Sequence, residues 1–327
     1  MTSTRCSGDR APSPFANSFF LTGPTACGKT ALGIAVAKEL DAEILSLDSM
    51  AVYRGMDVGT AKPTLRERDG VPHHMLDLLD PEEQFSVADY TRQAAQVVED
   101  IESRGKLALF VGGTPLYLKT MLFGFFDAPG ADEKLRDELK QMGADDPTRV
   151  WEELQKVDPV SAQKLHPNDL KRTIRALEIY RLTGKTASEQ KTQFSEPPLF
   201  EPDRIFILSR NREDLYRRIE LRVEIMMVSG FLDETRKLFA RVPPPGRTAS
   251  MAVGYRELKA VLDGVKPERE AVERIKQLTR NFAKRQETWF RSLGALGAER
   301  IEADGRTLEE LKEELCAKIN EKRKTYR

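Results

Sequence analysis

The sequence is poor in cysteine and has no net charge. Its 327 residues include 3 cysteines, Cys6, Cys27 and Cys316, which are too few and too scattered for a disulfide framework or a four-cysteine zinc site. This usage is typical of a reducing cytoplasm. The 52 Lys and Arg balance the 52 Asp and Glu, so any surface for a polyanion has to come from local clustering of charge.

Long hydrophobic runs are absent as well. The most apolar stretch, residues 107–126, is interrupted by glycine, proline and lysine, so we expect no membrane span and no membrane partner. Residues 1–17 lack the apolar stretch of a signal peptide and are expected to form a disordered tail. His73 and His74 could be metal ligands with Asp77, but no second ligand pair accompanies them, which favours a structural role.

Residues 19–40 read FFLTGPTACGKTALGIAVAKEL, an apolar run, a glycine-rich loop and an amphipathic stretch. The loop matches G-x-x-x-x-G-K-[ST], which predicts a phosphate-binding loop between a strand and a helix and is typical of nucleotide-binding and ATP-binding proteins. Its lysine would neutralise phosphate oxygens and its threonine would offer a hydroxyl to magnesium. The loop residues are Gly23, Pro24, Thr25, Ala26, Cys27, Gly28, Lys29 and Thr30.

Strand-like and helix-like segments alternate along much of the chain. Buried strands are predicted at AEILSLDS, KLALFVGG and RIFILS, and their alternation with helices predicts an α/β fold with a mostly parallel sheet. After RIFILS we expect only helices, interrupted by RVPPPGR. The predicted organisation is a core domain at 18–130 and 203–315, a helical insertion domain at 131–202 and a charged tail at 316–327.

Asp48 follows a predicted strand, 25 residues after Gly23. The carboxyl ends of parallel strands are where α/β sheets place ligands, so Asp48 is a candidate magnesium ligand or general base, the alternative being a turn cap. The strand at 107–111 is followed by Gly112, Gly113 and Thr114. It therefore lacks the acidic residue with which ATP-hydrolysing enzymes hold magnesium.

Basic residues cluster in three segments. Residues 274–291 contain six basic residues and one acidic residue, and residues 170–185 and 214–222 are also basic. In the first segment the helical period places Lys276, Arg280, Lys284 and Arg291 on one stripe, with Ile275, Leu278, Phe282 and Trp289 opposite. A solvated face would explain one such segment, but three on a neutral protein favour a polyanion.

Several segments together resemble the bacterial type of the tRNA dimethylallyltransferase family, also called tRNA isopentenyltransferases. They are GPTACGKT, DSMAVYRGMDVGTAKP, PHHMLDLLDP, FVGGTPLYLK, RTIRALEIYRLTGK, LYRRIELRVEIMMVSGFLDE, AVGYRE and AKRQETWFR. The resemblance implies transfer of a dimethylallyl group from dimethylallyl diphosphate to N6 of the adenine 3′ to the tRNA anticodon. It also implies magnesium and a P-loop NTPase-like core with a helical insertion.

The resemblance assigns roles by position. Asp48 would be the general base, Thr114 would lie near the reacting centre, and the loop with Lys29 and Arg222 would hold the diphosphate, with magnesium on Thr30. Many relatives carry other residues in place of Ala51 and Met251, which puts base contacts from these two positions in doubt. The implied contacts to the tRNA anticodon stem-loop are Asp48, Ser49, Met50, Ala51, Thr114, Arg136, Lys171, Arg172, Thr173, Ile174, Arg175, Met251, Ala252, Val253, Gly254, Tyr255, Arg256, Lys284, Arg285, Gln286 and Arg291.

Two other functions remain open from the residues alone. A small-molecule kinase would bind ATP in the loop and use Asp48 as its base, but it leaves the basic segment at 274–291 unexplained. A nucleic-acid-binding module would not need Lys29, Thr30 and Asp48 together. We expect a cytoplasmic monomer.

Overall fold

A computed structural model describes residues 13–124, 129–190 and 197–326. The chain divides into two compact units, which we call the core unit, Met1–Leu122 with Leu199–Arg327, and the helical unit, Phe123–Pro198. In the described part of the chain, no helix is both long and apolar enough to cross a membrane.

The core unit contains one six-stranded sheet in which every neighbouring pair is parallel. The predicted α/β fold with a parallel sheet is therefore confirmed. The strand order is β3-β2-β4-β1-β5-β6. The strands are β1 Phe19–Thr22, β2 Ala42–Leu47, β3 His73–His74, β4 Leu107–Gly112, β5 Ile205–Ser209 and β6 Glu299–Glu302.

Fifteen α-helices lie in the described residues. They are α1 Lys29–Glu39, α2 Leu65–Arg68, α3 Val87–Ser103, α4 Pro115–Phe123, α5 Glu133–Met142, α6 Pro147–Val157, α7 Pro159–Lys164, α8 Leu170–Thr183, α9 Ala187–Gln190, α10 Arg212–Val228, α11 Phe231–Phe239, α12 Arg247–Ser250, α13 Tyr255–Leu262, α14 Glu268–Gly294 and α15 Leu308–Thr325.

The central strands form because both faces of the sheet are covered. Every residue of β1, β2 and β5 is buried, as expected for parallel strands between helices. On one face, Phe19 and Phe206 belong to an apolar cluster with residues of α1, α10 and α15. Each such side chain contributes about 1.5–3 kcal/mol when fully buried. The loops that follow the carboxyl ends of these strands are therefore attached to a rigid sheet.

The two edge strands were not predicted from the sequence. β6 has one buried residue, Ile301, among charged neighbours, so its sequence carries too little apolar pattern to be distinguished from a loop. β3 is two residues long, and the ring of each of its histidines has a partner within the protein. His73 Nδ1 contacts the Val71 carbonyl at 2.8 Å and His74 Nε2 contacts Glu43 at 2.8 Å.

The predicted tails are wrong where the structure describes them. Residues 1–12 of the N-terminal tail lie outside the described residues, but Phe15 is only 2% exposed and packs edge-on against the Phe110 ring. At the C-terminus, α15 continues to Thr325 and buries Cys316 and Ile319. The reason is that Leu311, Leu315 and Ile319, spaced four residues apart, give α15 an apolar stripe that packs on the core.

The helical unit contains α5 to α9 around its own apolar cluster, which includes Leu139, Val150 and Leu177. Aspartates begin four of these helices, and each accepts a hydrogen bond from an N–H of the first turn. The capping residues are Asp132, Asp146, Asp158 and Asp169. The bounds of this unit, 123–198, differ from the 131–202 of the sequence prediction.

Candidate active site

The loop between β1 and α1 has the backbone of a phosphate-binding loop. Gly23 has a φ of 144°, and a Cβ there would lie 2.3 Å from the Leu208 carbonyl oxygen, so glycine is required. Ala26 and Gly28 have φ angles of 65° and 105°, a conformation that turns successive N–H groups towards an anion. Within the described residues, the N–H groups of Ala26, Gly28, Lys29 and Thr30 have no hydrogen-bond partner.

Lys29 lies across this loop. Its Nζ donates to the Pro24 carbonyl at 2.6 Å and contacts Cys27 Sγ at 3.6 Å. Burial lowers the pKa of Lys29, and the positive charge of Arg222 adds to the shift. An anion bound in the loop would oppose that shift, because an opposite charge favours the ammonium form. The lysine is thus placed to bind negative charge.

Two side chains from elsewhere in the chain hold the phosphate-binding loop in place. Neither role was predicted from the sequence. Gln286 accepts from the Thr25 N–H at 2.9 Å and donates to the Gly113 carbonyl at 2.5 Å. Arg210 donates through Nε to the Cys27 carbonyl at 2.8 Å. Gln286 was predicted to contact tRNA, but its side chain is buried and both ends are bonded, so its role in this structure is to position the loop.

Asp48 follows β2 and faces the same space as the loop. Its Oδ1 accepts from the N–H groups of Met50 at 2.8 Å and Ala51 at 3.2 Å, so Asp48 caps the turn, as the alternative interpretation expected. Its Oδ2 has no hydrogen-bond partner in the part of the chain that the structure describes. Thr114 Oγ1 accepts from the Ser49 N–H at 3.2 Å. One carboxylate oxygen therefore positions the turn and the other remains available to a substrate.

Arg222 and Arg218, one turn apart on α10, have different environments. Arg222 lies in the cavity and donates to the Thr60 carbonyl at 3.4 Å, whereas Arg218 pairs with Asp214 at 2.8 Å. Burial lowers the pKa of Arg222, and the nearby Asp48 carboxylate partly opposes this shift. Arg222 is thus a positively charged side chain that lines the cavity, where it could contact a diphosphate as predicted.

Four of the predicted diphosphate-binding residues, Thr25, Lys29, Thr30 and Arg222, line one cavity of about 490 Å³ in the core unit together with Asp48. The other predicted residues of the loop do not line it. Its lining also includes several of the residues predicted to contact tRNA. Those that the cavity brings together are Thr25, Lys29, Thr30, Asp48, Ser49, Met50, Ala51, Thr114, Arg222, Met251, Ala252, Val253, Tyr255, Arg285 and Gln286. Phosphate-binding groups, a carboxylate and apolar side chains thus face the same space.

A stacked pair of tyrosines near Asp48 was also missed by the sequence analysis. The rings of Tyr90 and Tyr117 are 4.1 Å apart, and Tyr90 donates to the Ser46 carbonyl at 2.7 Å. Burial raises the pKa of both phenols, and the charge of Asp48 adds to the shift. Both tyrosines are therefore uncharged, but neither of them lines the cavity.

The chain is similar to known proteins over most of its length. A family model described as IPP transferase matches residues 51–293. The chain belongs to the IPP transferase family. The tRNA dimethylallyltransferase of Pelotomaculum thermopropionicum is 44% identical over 272 residues, which cover 83% of this chain and 86% of the relative. That of Symbiobacterium thermophilum is 48% identical over 273 residues, 83% of this chain and 85% of the relative.

Solved structures agree with the family assignment. The full-length tRNA isopentenylpyrophosphate transferase of Bacillus halodurans aligns with a TM-score of 0.68 and 37% identity, covering 95% of this chain and 99% of that one. A eukaryotic dimethylallyltransferase acting on tRNA aligns with a TM-score of 0.71 and 29% identity, covering 88% and 74%. The resemblance stated from the sequence is confirmed.

The basic stripe of α14 is only partly as predicted. Lys276 pairs with Glu224 and Glu273, both at 3.0 Å, and Arg280 pairs with Glu220. Because carboxylates of α10, and for Lys276 also Glu273 of α14, pair with these two cations, they are not free to bind a polyanion. Lys284, Arg285 and Arg291 are exposed and have no ion pair among the described residues. Phe282, which the helical period placed on the apolar face opposite this stripe, is 37% exposed.

Three of the residues predicted to contact tRNA near 251–256 have structural roles. Tyr255 is fully buried and Gly254 donates its N–H to Glu257 at 2.9 Å. Arg256 is exposed and pairs with Glu257 at 2.7 Å. Met251, by contrast, is 53% exposed at the cavity. Side-chain contacts with RNA are therefore expected from Met251 and not from Tyr255.

In the helical unit the predicted tRNA contacts also divide into two groups. Thr173 and Ile174 are buried, so their side chains cannot reach RNA in this conformation. Arg136 and Arg175 both bind the buried Glu178 carboxylate. Lys171 and Arg172 are exposed, and Arg172 pairs with Asp169 at 3.2 Å. The exposed pair at the start of α8 thus remains available for a phosphate backbone.

Proposed function

We propose that this protein transfers the dimethylallyl group of dimethylallyl diphosphate to N6 of the adenine on the 3′ side of a tRNA anticodon. One observation carries the proposal: Asp48, with a free carboxylate oxygen, shares a cavity with the cations Lys29 and Arg222. A base beside two cations suits a reaction that removes a proton and releases an anion. The printed names of the relatives support the choice of acceptor and prenyl group.

In the proposed reaction the adenine amino nitrogen bonds to the allylic carbon, and the bond from that carbon to the diphosphate oxygen breaks. The electron pair of the broken bond leaves with the diphosphate, and the N6 proton passes to Asp48 Oδ2. A base helps because the lone pair of an adenine amino group is delocalised into the ring. Lys29, Arg222 and the free N–H groups of the loop stabilise the charge that develops on the leaving group.

Magnesium fits the site as an ion shared with the diphosphate. Thr30 is exposed at the first turn of α1, and its hydroxyl has no hydrogen-bond partner in the described ranges. Those ranges also contain no cluster of three or more acidic, histidine or cysteine side chains that would hold a metal alone. Magnesium commonly takes most of its ligands from water and substrate phosphates. Held by Thr30, the ion would supply further positive charge to the leaving group.

The acceptor adenine must leave the anticodon stack to reach Asp48. Unstacking a base costs a few kcal/mol, which contacts with the phosphate backbone must offset. The exposed Lys284, Arg285 and Arg291 of α14 and the exposed Lys171 and Arg172 of α8 are the cations available for such contacts. The protein would act as a monomer in the cytoplasm, without a membrane partner.

A labelling experiment tests the proposal. Unmodified tRNA is incubated with the protein, magnesium and either labelled dimethylallyl diphosphate or γ-labelled ATP. We expect label in the RNA from the prenyl donor and none from ATP. Phosphate transfer from ATP without prenyl transfer would favour the kinase alternative. Binding of tRNA with no transfer from either donor would favour the binding module.

A further inference from the structure

The segment 57–63, from the motif MDVGTAKP, has no role in the reaction described above. Residues 59–63 nevertheless line the cavity beside Lys29, Thr30 and Arg222. Because they belong to no helix or strand, their position has to be fixed by side chains. The groups that fix this wall therefore set the shape of the cavity where the diphosphate is proposed to bind.

Glu234 of α11 holds the beginning of this wall. Its Oε2 accepts from the N–H groups of Asp57 at 2.9 Å and Val58 at 2.8 Å. Its Oε1 accepts from the Gly59 N–H at 2.9 Å and the Tyr255 hydroxyl at 2.6 Å. Three successive N–H groups form an anion-binding nest, and the carboxylate fills it. All four acceptor positions of the carboxylate are used.

Packing reinforces this contact. A Cβ on Gly59 would lie 2.2 Å from the Phe231 ring and 2.6 Å from the Tyr255 ring, so only glycine allows the loop to approach α11 and α13 this closely. The two rings meet edge-on at 4.9 Å. Burial raises the pKa of Tyr255, and the negative charge of Glu234 raises it further. The hydroxyl therefore keeps its proton and remains a donor.

Lys62 fixes the far end of the wall and also contacts its beginning through Asp57. The buried Lys62 donates to the Tyr53 carbonyl at 2.8 Å and to the carboxylates of Asp57 and Asp77, both at 2.6 Å. Between the two anchors, the Thr60 carbonyl accepts from Arg222. A shift at the Glu234 end would therefore move a hydrogen-bond partner of Arg222, one of the cations that line the cavity.

We propose that Glu234 is a positioning residue for the donor site: it holds segment 57–59 so that the wall 59–63 and Arg222 are arranged for the diphosphate of the prenyl donor. This inference rests on the proposed function for the identity of the donor. Glu234 acts through the loop and not on the reacting atoms. The wall is proposed to contact the diphosphate already in the bound donor, so losing its position should raise the KM for the donor more than it lowers kcat.

The test compares Glu234→Gln with the matched control Asp233→Asn. In Glu234→Gln an amide NH2 replaces one oxygen and faces two donors. The exposed Asp233, by contrast, pairs with Arg236 alone among the described residues. For Glu234→Gln we expect the KM for dimethylallyl diphosphate to rise about tenfold, the effect of losing charge-assisted hydrogen bonds. The KM for tRNA and kcat should stay within about threefold. Asp233→Asn should match the parent protein.

Two further measurements separate positioning from a loss of stability. Leu238→Ala removes a buried side chain of α11 and should lower the melting temperature without raising the KM for the donor. If Glu234→Gln does not fold, Tyr255→Phe removes one of the four hydrogen bonds and should raise that KM about threefold. An unchanged KM in the folded Glu234 or Tyr255 variant would overturn the inference, and so would an equal rise in Leu238→Ala.

Affinity for inorganic diphosphate with magnesium, measured by calorimetry, keeps this inference separate from the proposed function. If the parent protein fails to transfer the prenyl group, the proposed function fails, while a weaker diphosphate affinity of Glu234→Gln would still support the positioning role. If the parent protein transfers the group and the variant binds diphosphate with unchanged affinity, only the inference about Glu234 is wrong.

Discussion

Replacing Asp48 with asparagine should separate its two contacts. Oδ1 caps the turn by accepting from the N–H groups of Met50 and Ala51, and an asparagine Oδ1 can accept the same two bonds. The second oxygen becomes an NH2 group, which cannot take a proton. The variant should therefore fold and keep its melting temperature within a few degrees, because the cap is retained.

The expected loss of activity follows from the base role. A positioned general base contributes about 10² to 10⁴-fold in rate, which corresponds to about 3–5 kcal/mol in the activation free energy. Asp48→Ala is the matched comparison, because it loses the base and also the cap. A lost cap costs about 0.5–2 kcal/mol, so this second variant should have similar activity to Asp48→Asn but a melting temperature a few degrees lower.

Single-turnover transfer to tRNA, measured for the parent protein and both variants, is the appropriate assay. Both variants should transfer the group about 10² to 10⁴-fold more slowly than the parent protein, because neither can take the proton. Tight tRNA binding with a normal rate in Asp48→Asn would refute the base assignment and leave Asp48 as a cap alone.

Three further predictions follow from charged side chains. Lys29→Ala should lower turnover more than donor affinity, because the lysine interacts most strongly with the departing diphosphate; steady-state kinetics measures both. Lys284→Ala should flatten the dependence of log tRNA affinity on log salt by about one unit, whereas Lys276→Ala, whose cation is already paired, should leave the slope unchanged. Because the Arg104 hydrogen bond lowers the pKa of Glu43 to about 2, the stabilisation is full above about pH 4.5 and lost towards pH 2. Glu43→Gln should therefore lower the free energy of unfolding by about 1–3 kcal/mol at pH 7 and remove that acid dependence in urea titrations.

The parts of the site that the sequence predicted are those determined by local pattern. The loop 23–30 lies between an apolar run and an amphipathic one, and the structure places it between β1 and α1. Asp48 was predicted at the end of a strand because it follows AEILSL, a short and mostly apolar segment flanked by polar residues. In both cases the residues that determine the backbone are neighbours in the chain.

The parts that were missed depend on residues far apart in the chain. Glu234 contacts N–H groups of 57–59, more than 170 positions earlier, and Gln286 reaches Thr25 from α14. Lys276 and Arg280 also pair with Glu224 and Glu220 of α10, which no helical period within α14 can indicate. Such contacts follow only from how the helices pack around the sheet.

The most direct test of the proposed function uses two anticodon stem-loop RNAs that differ in one base. The first carries adenine on the 3′ side of the anticodon, and the second carries purine there, which lacks the exocyclic amino group. After incubation with dimethylallyl diphosphate and magnesium, mass spectrometry of the nucleosides should find one dimethylallyl group on that adenine and none on the second RNA. Transfer to the purine RNA, or to another position of the first, would contradict the assignment of N6 as the acceptor.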